Sequence, residues 1–376
     1  MLQGVKVLDC TERLGWLAGR LLADMGAEVL RIEAPDTDVS TSDWRALNVN
    51  KHLLRVDCAS HPAELDRLAG GADILIATPH PGHDASRLYD FARLSRLNPR
   101  LIVTAITPFG LAGPKAQWLA SDIELMAAGG AMSLAGEPDG KPLRVSAPQS
   151  YAWAGAQAAV GALTALAARH RTGRGQLVDV SAQAAVITAL AHAPTFADIL
   201  SVTPQRAGSY MTGRSVTGAK FRVFWPCRDG HINFILYGGV AGRRTNEQLV
   251  AWMREGGFDL GPLAAIDWTK FDPTRATQAE VDAMEAKMAL FFHSLAKREF
   301  LEGAHRREML GYPVSTVADI ATDPQLQARG FWHDLPAPGG RIERQCGAFV
   351  VVDGARPPLA DPMQQAERSP AFGRRA

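Results

Sequence analysis

Apolar positions in the first hundred residues alternate between short continuous runs and stretches with helical spacing. Residues 5–10 form a short apolar run, and Leu14, Leu17, Leu21, Leu22 and Met25 then recur on one helical face. Gly26 stops that helix, and 28–33 alternates as the next strand. Residues 52–57 and 73–78 read as strands around a helix at 62–69. A further helix at 89–97 is broken by Asn98-Pro99 before an apolar strand at 101–107. Strands alternating with helices predict βαβ units and a mainly parallel sheet covered on both faces. A strand-like run at 142–148 ends at Pro148, a turn passes through Tyr151, and an Ala-rich helix follows. Gly155, Ala159 and Ala162 share one face of that helix and admit a second backbone at close range.

From residue 221 the pattern changes. Residues 221–227 and 231–236 flank Arg228-Asp229-Gly230 and predict a hairpin, and 237–244 reads as a glycine-rich loop. Amphipathic helices are expected at 249–256, 280–295 and 297–307. Residues 319–332 are largely helical, 342–352 reads as a closing hairpin, and 356–376 as a proline- and charge-rich tail. At 376 residues the chain is long for one core. The expected organisation is an α/β chain with a large Rossmann-like domain at 1–200, a small α+β domain at 216–318, and a segment at 319–376 returning to the large domain.

Forty basic and thirty-nine acidic side chains leave a formal charge of +1 and no electrostatic footprint for nucleic acid or an anionic membrane. No apolar run reaches the roughly 18 residues a membrane span requires, and the first residues lead directly into a strand without a signal-peptide pattern, so a cytoplasmic location is expected. The four cysteines, Cys10, Cys58, Cys227 and Cys346, lie far apart and read as reduced, buried thiols. The ten histidines show no metal-ligand spacing, so no metal is expected.

The first strand-to-helix turn, Thr11-Glu12-Arg13-Leu14-Gly15-Trp16, holds one glycine, which excludes the dinucleotide fingerprint. It still opens where such sheets bind ligands, and Arg13 there reads equally as a phosphate contact or a solvated arginine. His80 and His83 follow the fourth strand, where solvation is the plainer reading and ligand contact the sharper one. Gly238, Gly239 and Gly242, beside Arg243-Arg244, offer backbone N–H groups to a carboxylate or acyl group, or simply turn the chain. Asp122 precedes a helix and reads as its N-cap or as an acid at the site. Tyr151 reads as an aromatic wedge at a helix start or as a reactive position.

In order along the chain, Leu21-Leu-Ala-Asp-Met-Gly-Ala-Glu-Val-Leu-Arg-Ile-Glu33, Asn48-Val-Asn-Lys51, Ala72-Asp-Ile-Leu-Ile-Ala-Thr-Pro-His-Pro-Gly82, Phe109-Gly-Leu-Ala-Gly-Pro114, Thr172-Gly-Arg-Gly-Gln-Leu-Val-Asp-Val-Ser181 and Gln327-Ala-Arg-Gly-Phe331 resemble the class III (CaiB/BaiF) CoA-transferase family. Tyr237-Gly-Gly, Leu249-Val-Ala-Trp-Met253 and Tyr312-Pro-Val314 are similar to the benzylsuccinate CoA-transferase branch. The resemblance implies two interlocked chains, with acyl-CoA and a small carboxylic acid as substrates and no tightly bound cofactor. It places the family's aspartate nucleophile at Tyr151, whose phenol, with an ordinary pKa near 10, is protonated at neutral pH. Racemases of the family need a histidine where Ser121 stands, which disfavours that activity.

The same resemblance maps the CoA site to the first turn with Arg13 and Leu14, to Ala34 in place of a basic residue, to Val56, to Thr78 in place of an asparagine, and to Arg87. The expected function is the non-nucleophilic subunit of a heteromeric CoA-transferase, paired with a related chain that keeps the aspartate. The alternatives are an active homodimer whose nucleophile is relocated to Asp122, Glu124 or Glu12, and a CoA-ester binding protein without transfer activity.

Overall fold

The structure is a computed structural model and describes residues 1–211 and 217–361. β1 (Lys6–Cys10), β2 (Glu28–Glu33), β3 (His52–Arg55), β4 (Ile74–Ala77), β5 (Ile102–Thr107) and β6 (Leu177–Ser181) form one parallel sheet in the order β3-β2-β1-β4-β5-β6. The winding reverses between β1 and β4, which opens a crevice beyond their carboxyl ends. Around the sheet lie α1 (Trp16–Asp24), α2 (Ser42–Asn48), α3 (Pro62–Gly71), α4 (Phe91–Leu97), α5 (Asp122–Ala128), α6 (Ala131–Leu134), α7 (Gln149–Thr172), α8 (Ala182–Ala189) and α9 (His192–Leu200).

Period-two alternation sorts the strand residues between two cores. Val7, Val29, Ile74, Ile76, Ile102 and Ile106 pack with Ala18 and Leu22 of α1 and the alanine face of α7. Leu8, Leu30, Leu75 and Val103 pack with Leu65 and Leu68 of α3 and Leu94 of α4. Gly155 brings α7 against α1: a Cβ there would stand 2.9 Å from Leu17 Cβ and 3.2 Å from the Ala18 nitrogen. Ala159 and Ala162 continue that buried face, as the spacing predicts. Gly173, at φ 70°, ends α7 in the left-handed conformation.

The strand expected at 142–148 is absent. Leu143 and Val145 are exposed, and the sheet edge is supplied instead by β6, so this run has no strand to pair with. Helix α7 starts at Gln149, so Tyr151 lies inside its first turn rather than in a turn before it.

The chain divides into two compact units. The first comprises Met1–Ser133, Arg144–Pro204 and the chain from Pro324 on, and the second Leu134–Leu143 and Gln205–Asp323. Residues 134–143, expected within the large domain, therefore belong to the second unit. In the first unit, β12 (Trp332–Pro336) and β13 (Ile342–Cys346) form a hairpin whose strands begin ten residues earlier than the expected 342–352. Arg20 Nη2 donates to the Cys346 carbonyl at 2.7 Å, Arg45 pairs with Glu343 at 3.0 Å, and the Asn50 N–H donates to the Ala360 carbonyl at 2.9 Å. The rest of the expected tail, residues 362–376, lies outside the described residues.

The second unit holds β7 (Tyr210–Met211), β8 (Phe221–Arg222), β9 (Phe224–Cys227), β10 (Gly230–Asn233), α10 (Gly239–Glu255), α11 (Gln278–Ser294), α12 (Lys297–Arg306) and β11 (Tyr312–Pro313). β9 and β10 form the expected antiparallel hairpin, shorter than predicted, with Gly230 paired to Cys227. The glycine-rich stretch is not a loop. Gly238 caps α10, and Gly239 and Gly242 lie in its first turns. Packing explains two of these glycines: a Cβ at Gly238 would meet Pro273 Cδ at 2.5 Å, and one at Gly242 would meet Tyr237 Cβ at 2.4 Å.

Glu285 of α11 is buried and accepts the Arg222 backbone N–H at 2.7 Å. Burial pushes its carboxyl up to about 7, with Arg222 opposing. The folded form thus holds an extra proton between about pH 4.5 and 7, and this contribution to stability fades as pH rises through 7. Glu285→Gln is expected to reduce the stability difference between pH 5 and pH 8 by about 2 kcal/mol, read from denaturant titrations at the two pH values.

Candidate functional site

The crevice between β1 and β4 is built on one buried carboxylate. Asp9, fully buried, accepts the Thr11 N–H at 3.0 Å and the Thr11 hydroxyl at 2.6 Å, which folds the chain over at the end of β1. Arg31 reaches the same oxygen at 3.0 Å, and Lys51 Nζ donates to the other at 2.8 Å. Lys51 also donates to the Trp16 carbonyl at 2.8 Å and to Asn48 Oδ1 at 2.7 Å. Arg31 continues to Glu33, which accepts the Trp44 indole N–H at 2.7 Å. Gly19 lets α1 lie on this cluster, because a Cβ there would be 2.1 Å from Asp9 Oδ2. The two cations hold the Asp9 carboxyl below its ordinary value against the opposing pull of burial, and burial draws Lys51 down to about 8.

Two loops meet over this base. The Glu12 N–H donates to Thr78 Oγ1 at 2.6 Å, tying the end of β1 to the end of β4. A cleft of about 560 Å³ opens on one side, lined by Arg13, Ala34, Val56 and Thr78 together with Trp16 and Tyr89. A second, of about 440 Å³, is lined by Glu12, Arg13, Leu14, Thr78, His80, Glu124 and Tyr151. Arg87 lines neither. It borders a third cleft of about 820 Å³ with Arg93 and Arg96, and pairs at the surface with Asp84 at 3.5 Å. The structure thus brings together Arg13, Leu14, Thr78 and Tyr151, places Ala34 and Val56 next to them, and sets Arg87 apart. Gly238, Gly239 and Gly242 lie in the second unit.

Asp122 is not the cap of its own helix. Ser121 caps α5, and Glu124 closes the capping box by accepting the Ser121 N–H at 2.8 Å. Asp122 instead accepts the Ser150 N–H at 3.0 Å and the Ser150 hydroxyl at 2.8 Å, so it caps the start of α7 across the fold. It is 8 % exposed and lines none of the three clefts. Tyr151 is half-buried against the α1–α7 core, and burial raises its phenol above the ordinary value, a hydrogen bond with the Asp122 backbone opposing. The phenol is therefore protonated at neutral pH and available as a hydrogen-bond donor. Burial likewise pushes the Cys58 thiol up to about 11 and Cys10 well above its ordinary value.

His80, for which the sequence left solvation and ligand contact open, lies on the wall of all three clefts, three residues beyond β4 at the carboxyl end of a parallel strand. Among the described residues, no group of three or more His, Cys, Asp or Glu side chains is placed to hold a metal ion. No described helix is long and apolar enough to cross a membrane.

The sequence profile of CoA-transferase family III matches residues 2–370. The chain belongs to CoA-transferase family III. It is 32 % identical over 371 residues to the succinyl-CoA:(R)-benzylsuccinate CoA-transferase subunit BbsE of Thauera aromatica, covering 93 % of this chain and 86 % of that protein. It is 27 % identical over 398 residues to the succinate–glutarate CoA-transferase of Agrobacterium fabrum, covering 99 % of this chain and 93 % of that one. The mixed α/β fold with its parallel six-stranded sheet matches the crystal structure of a CaiB/BaiF family protein from Brucella suis, at a TM-score of 0.78 and 24 % identity over 98 % of both chains.

Substitutions at two positions test the frame of this family III chain. Lys51→Met leaves Asp9 and Arg31 buried without their third partner and is expected to cost about 3–5 kcal/mol in chemical denaturation. Asp122→Ala is expected to cost about 1–2 kcal/mol by uncapping α7, whereas Asp122→Asn, which keeps an acceptor for Ser150, stays within about 0.5 kcal/mol of the parent.

Proposed function

We propose that this chain is the non-nucleophilic subunit of a heteromeric acyl-CoA:carboxylic acid CoA-transferase. What carries the reading is Tyr151, at the position where the family resemblance places the aspartate nucleophile. Its phenol is raised by burial, and the nearest buried carboxylate, Asp122, is spent on capping α7. The similarity to a protein named as a subunit supports a two-chain enzyme. In this reading a related chain that keeps the aspartate interlocks with this one and supplies the attack on the thioester carbonyl. That attack forms an acyl-aspartyl anhydride and releases CoA thiolate. The thiolate then attacks the aspartyl carbonyl of that anhydride, which expels the donor as its free carboxylate and leaves an aspartyl-CoA thioester. The acceptor carboxylate attacks this thioester to form a second anhydride and release CoA thiolate, which takes the acceptor acyl group and frees the aspartate. In this chain, the cleft at Arg13, Ala34, Val56 and Thr78 is the counterpart of the family's CoA site.

Co-expression with a related chain bearing the aspartate is expected to yield a stable heteromer with CoA-transferase activity. Replacing that aspartate with alanine is expected to abolish turnover at least a thousandfold. A stable, active homodimer of this chain alone overturns the reading.

A second reading is favoured by Glu12, an exposed carboxylate that lines the clefts on both sides of the Thr78 loop. Here the chain is an active homodimer and Glu12, rather than Asp122, takes the acyl group. Hydroxylamine trapping after acyl-CoA treatment, followed by peptide mass spectrometry, is expected to mark Glu12 in that case. An unmodified Glu12 across a panel of acyl-CoAs excludes it.

A further inference from the structure

We propose that the cleft at Tyr151 takes the uncharged acyl group of a monocarboxylic acyl-CoA and discriminates against acyl groups that end in a second carboxylate. The inference rests on the proposed reading of the adjoining cleft at Arg13, Ala34, Val56 and Thr78 as the counterpart of the family's CoA site. That cleft shares Glu12, Arg13, Thr78 and His80 with the cleft at Tyr151.

The cleft lies wholly within the first unit and has apolar walls from Leu14, Ile106, Pro108 and Leu119 around the Tyr151 ring. A terminal carboxylate would need a free cation or an open helix N-terminus there, and the structure commits each available one elsewhere. Arg13 already pairs with Asp43 at 2.7 Å. The 24-residue α7 directs its positive end at the cleft through Tyr151, but Asp122 is bonded to the Ser150 N–H in its first turn. The Ser121 N–H at the start of α5 is taken by Glu124. The Ser121 bonds hold the Glu124 carboxyl below its ordinary value, so it is ionised at neutral pH. Glu12 adds a second carboxylate to the wall, and His80 completes its ionisable groups. Among the described lining residues an entering carboxylate therefore meets two like charges, one arginine already paired with Asp43, and two helix starts already neutralised. An aromatic or aliphatic acyl group meets Leu14, Leu119 and the tyrosine ring, and carries no charge to be repelled.

The test is calorimetric titration of the protein, alone and in its complex, with benzoyl-CoA, succinyl-CoA and CoA at pH 8, above the ordinary histidine range. Benzoyl-CoA is expected to bind at least tenfold more tightly than succinyl-CoA. In Glu12→Gln the ratio is expected to fall to threefold or less, mainly through tighter succinyl-CoA binding. Glu12 is exposed and its substitution leaves the fold intact; the double variant Glu12→Gln/Glu124→Gln, which keeps an acceptor for the Ser121 cap, extends the effect. Equal affinities, or tighter binding of succinyl-CoA, overturn this proposal alone. An unchanged ratio in both variants also overturns it. Failure of all three compounds to bind at millimolar concentration overturns both the proposal and the acyl-CoA reading beneath it.

Discussion

Four interactions on one carboxylate set the geometry on which the crevice depends. Asp9 sits at the end of a central strand, where a parallel sheet would ordinarily place an aliphatic residue, and is satisfied by Thr11, Arg31 and Lys51. A buried carboxylate without such partners would be neutralised or expelled. With them, it fixes the first strand-to-helix turn, the seat of α1 and, through Lys51 and Asn48, the end of α2. Removing one member leaves the others charged and buried, so the cluster is retained or lost as a unit.

The second constraint is the closeness of α1 and α7. Gly155 and its alanines allow two helices to approach at nearly backbone distance, which brings the first turn of α7 to the mouth of the crevice. The side chain presented there is Tyr151, and the group that finishes the helix start is Asp122 from α5. At this helix start the Asp122 carboxylate is devoted to holding the end of α7 in place.

Much of this was legible from periodicity. The alternation of apolar runs with helical stretches gave the parallel sheet, and the Gly155-Ala159-Ala162 spacing gave the close helix face. The ion cluster was not legible. Asp9, Arg31, Glu33 and Lys51 look like solvent-facing charges in their own segments, and only the strand order brings them together underground. The run at 142–148 misled for a related reason. Its apolar alternation fits a strand, yet β6 already fills the edge. Gly238–Gly242 misled because glycines that serve packing against Pro273 and Tyr237 resemble glycines that serve a ligand. The capping of α7 by Asp122 had no local signal at all, since the partners are 28 residues apart.

The hydrogen bonds from Arg20, Arg45 and Asn50 to residues 343–360 carry a consequence for how the protein is made. The second unit is inserted in the middle of the first in sequence, so the segment that straps α1 and α2 is synthesised only after the inserted unit. Arg20 and its carbonyl partner are separated by 326 positions. While the chain grows, the arginines that will be buried under this strap have only water as a partner for these bonds. Final consolidation of the first unit is thus a late, long-range event that follows translation of the inserted unit. A nascent chain halted within the insertion would display the unfinished face of α1 and α2 to chaperones.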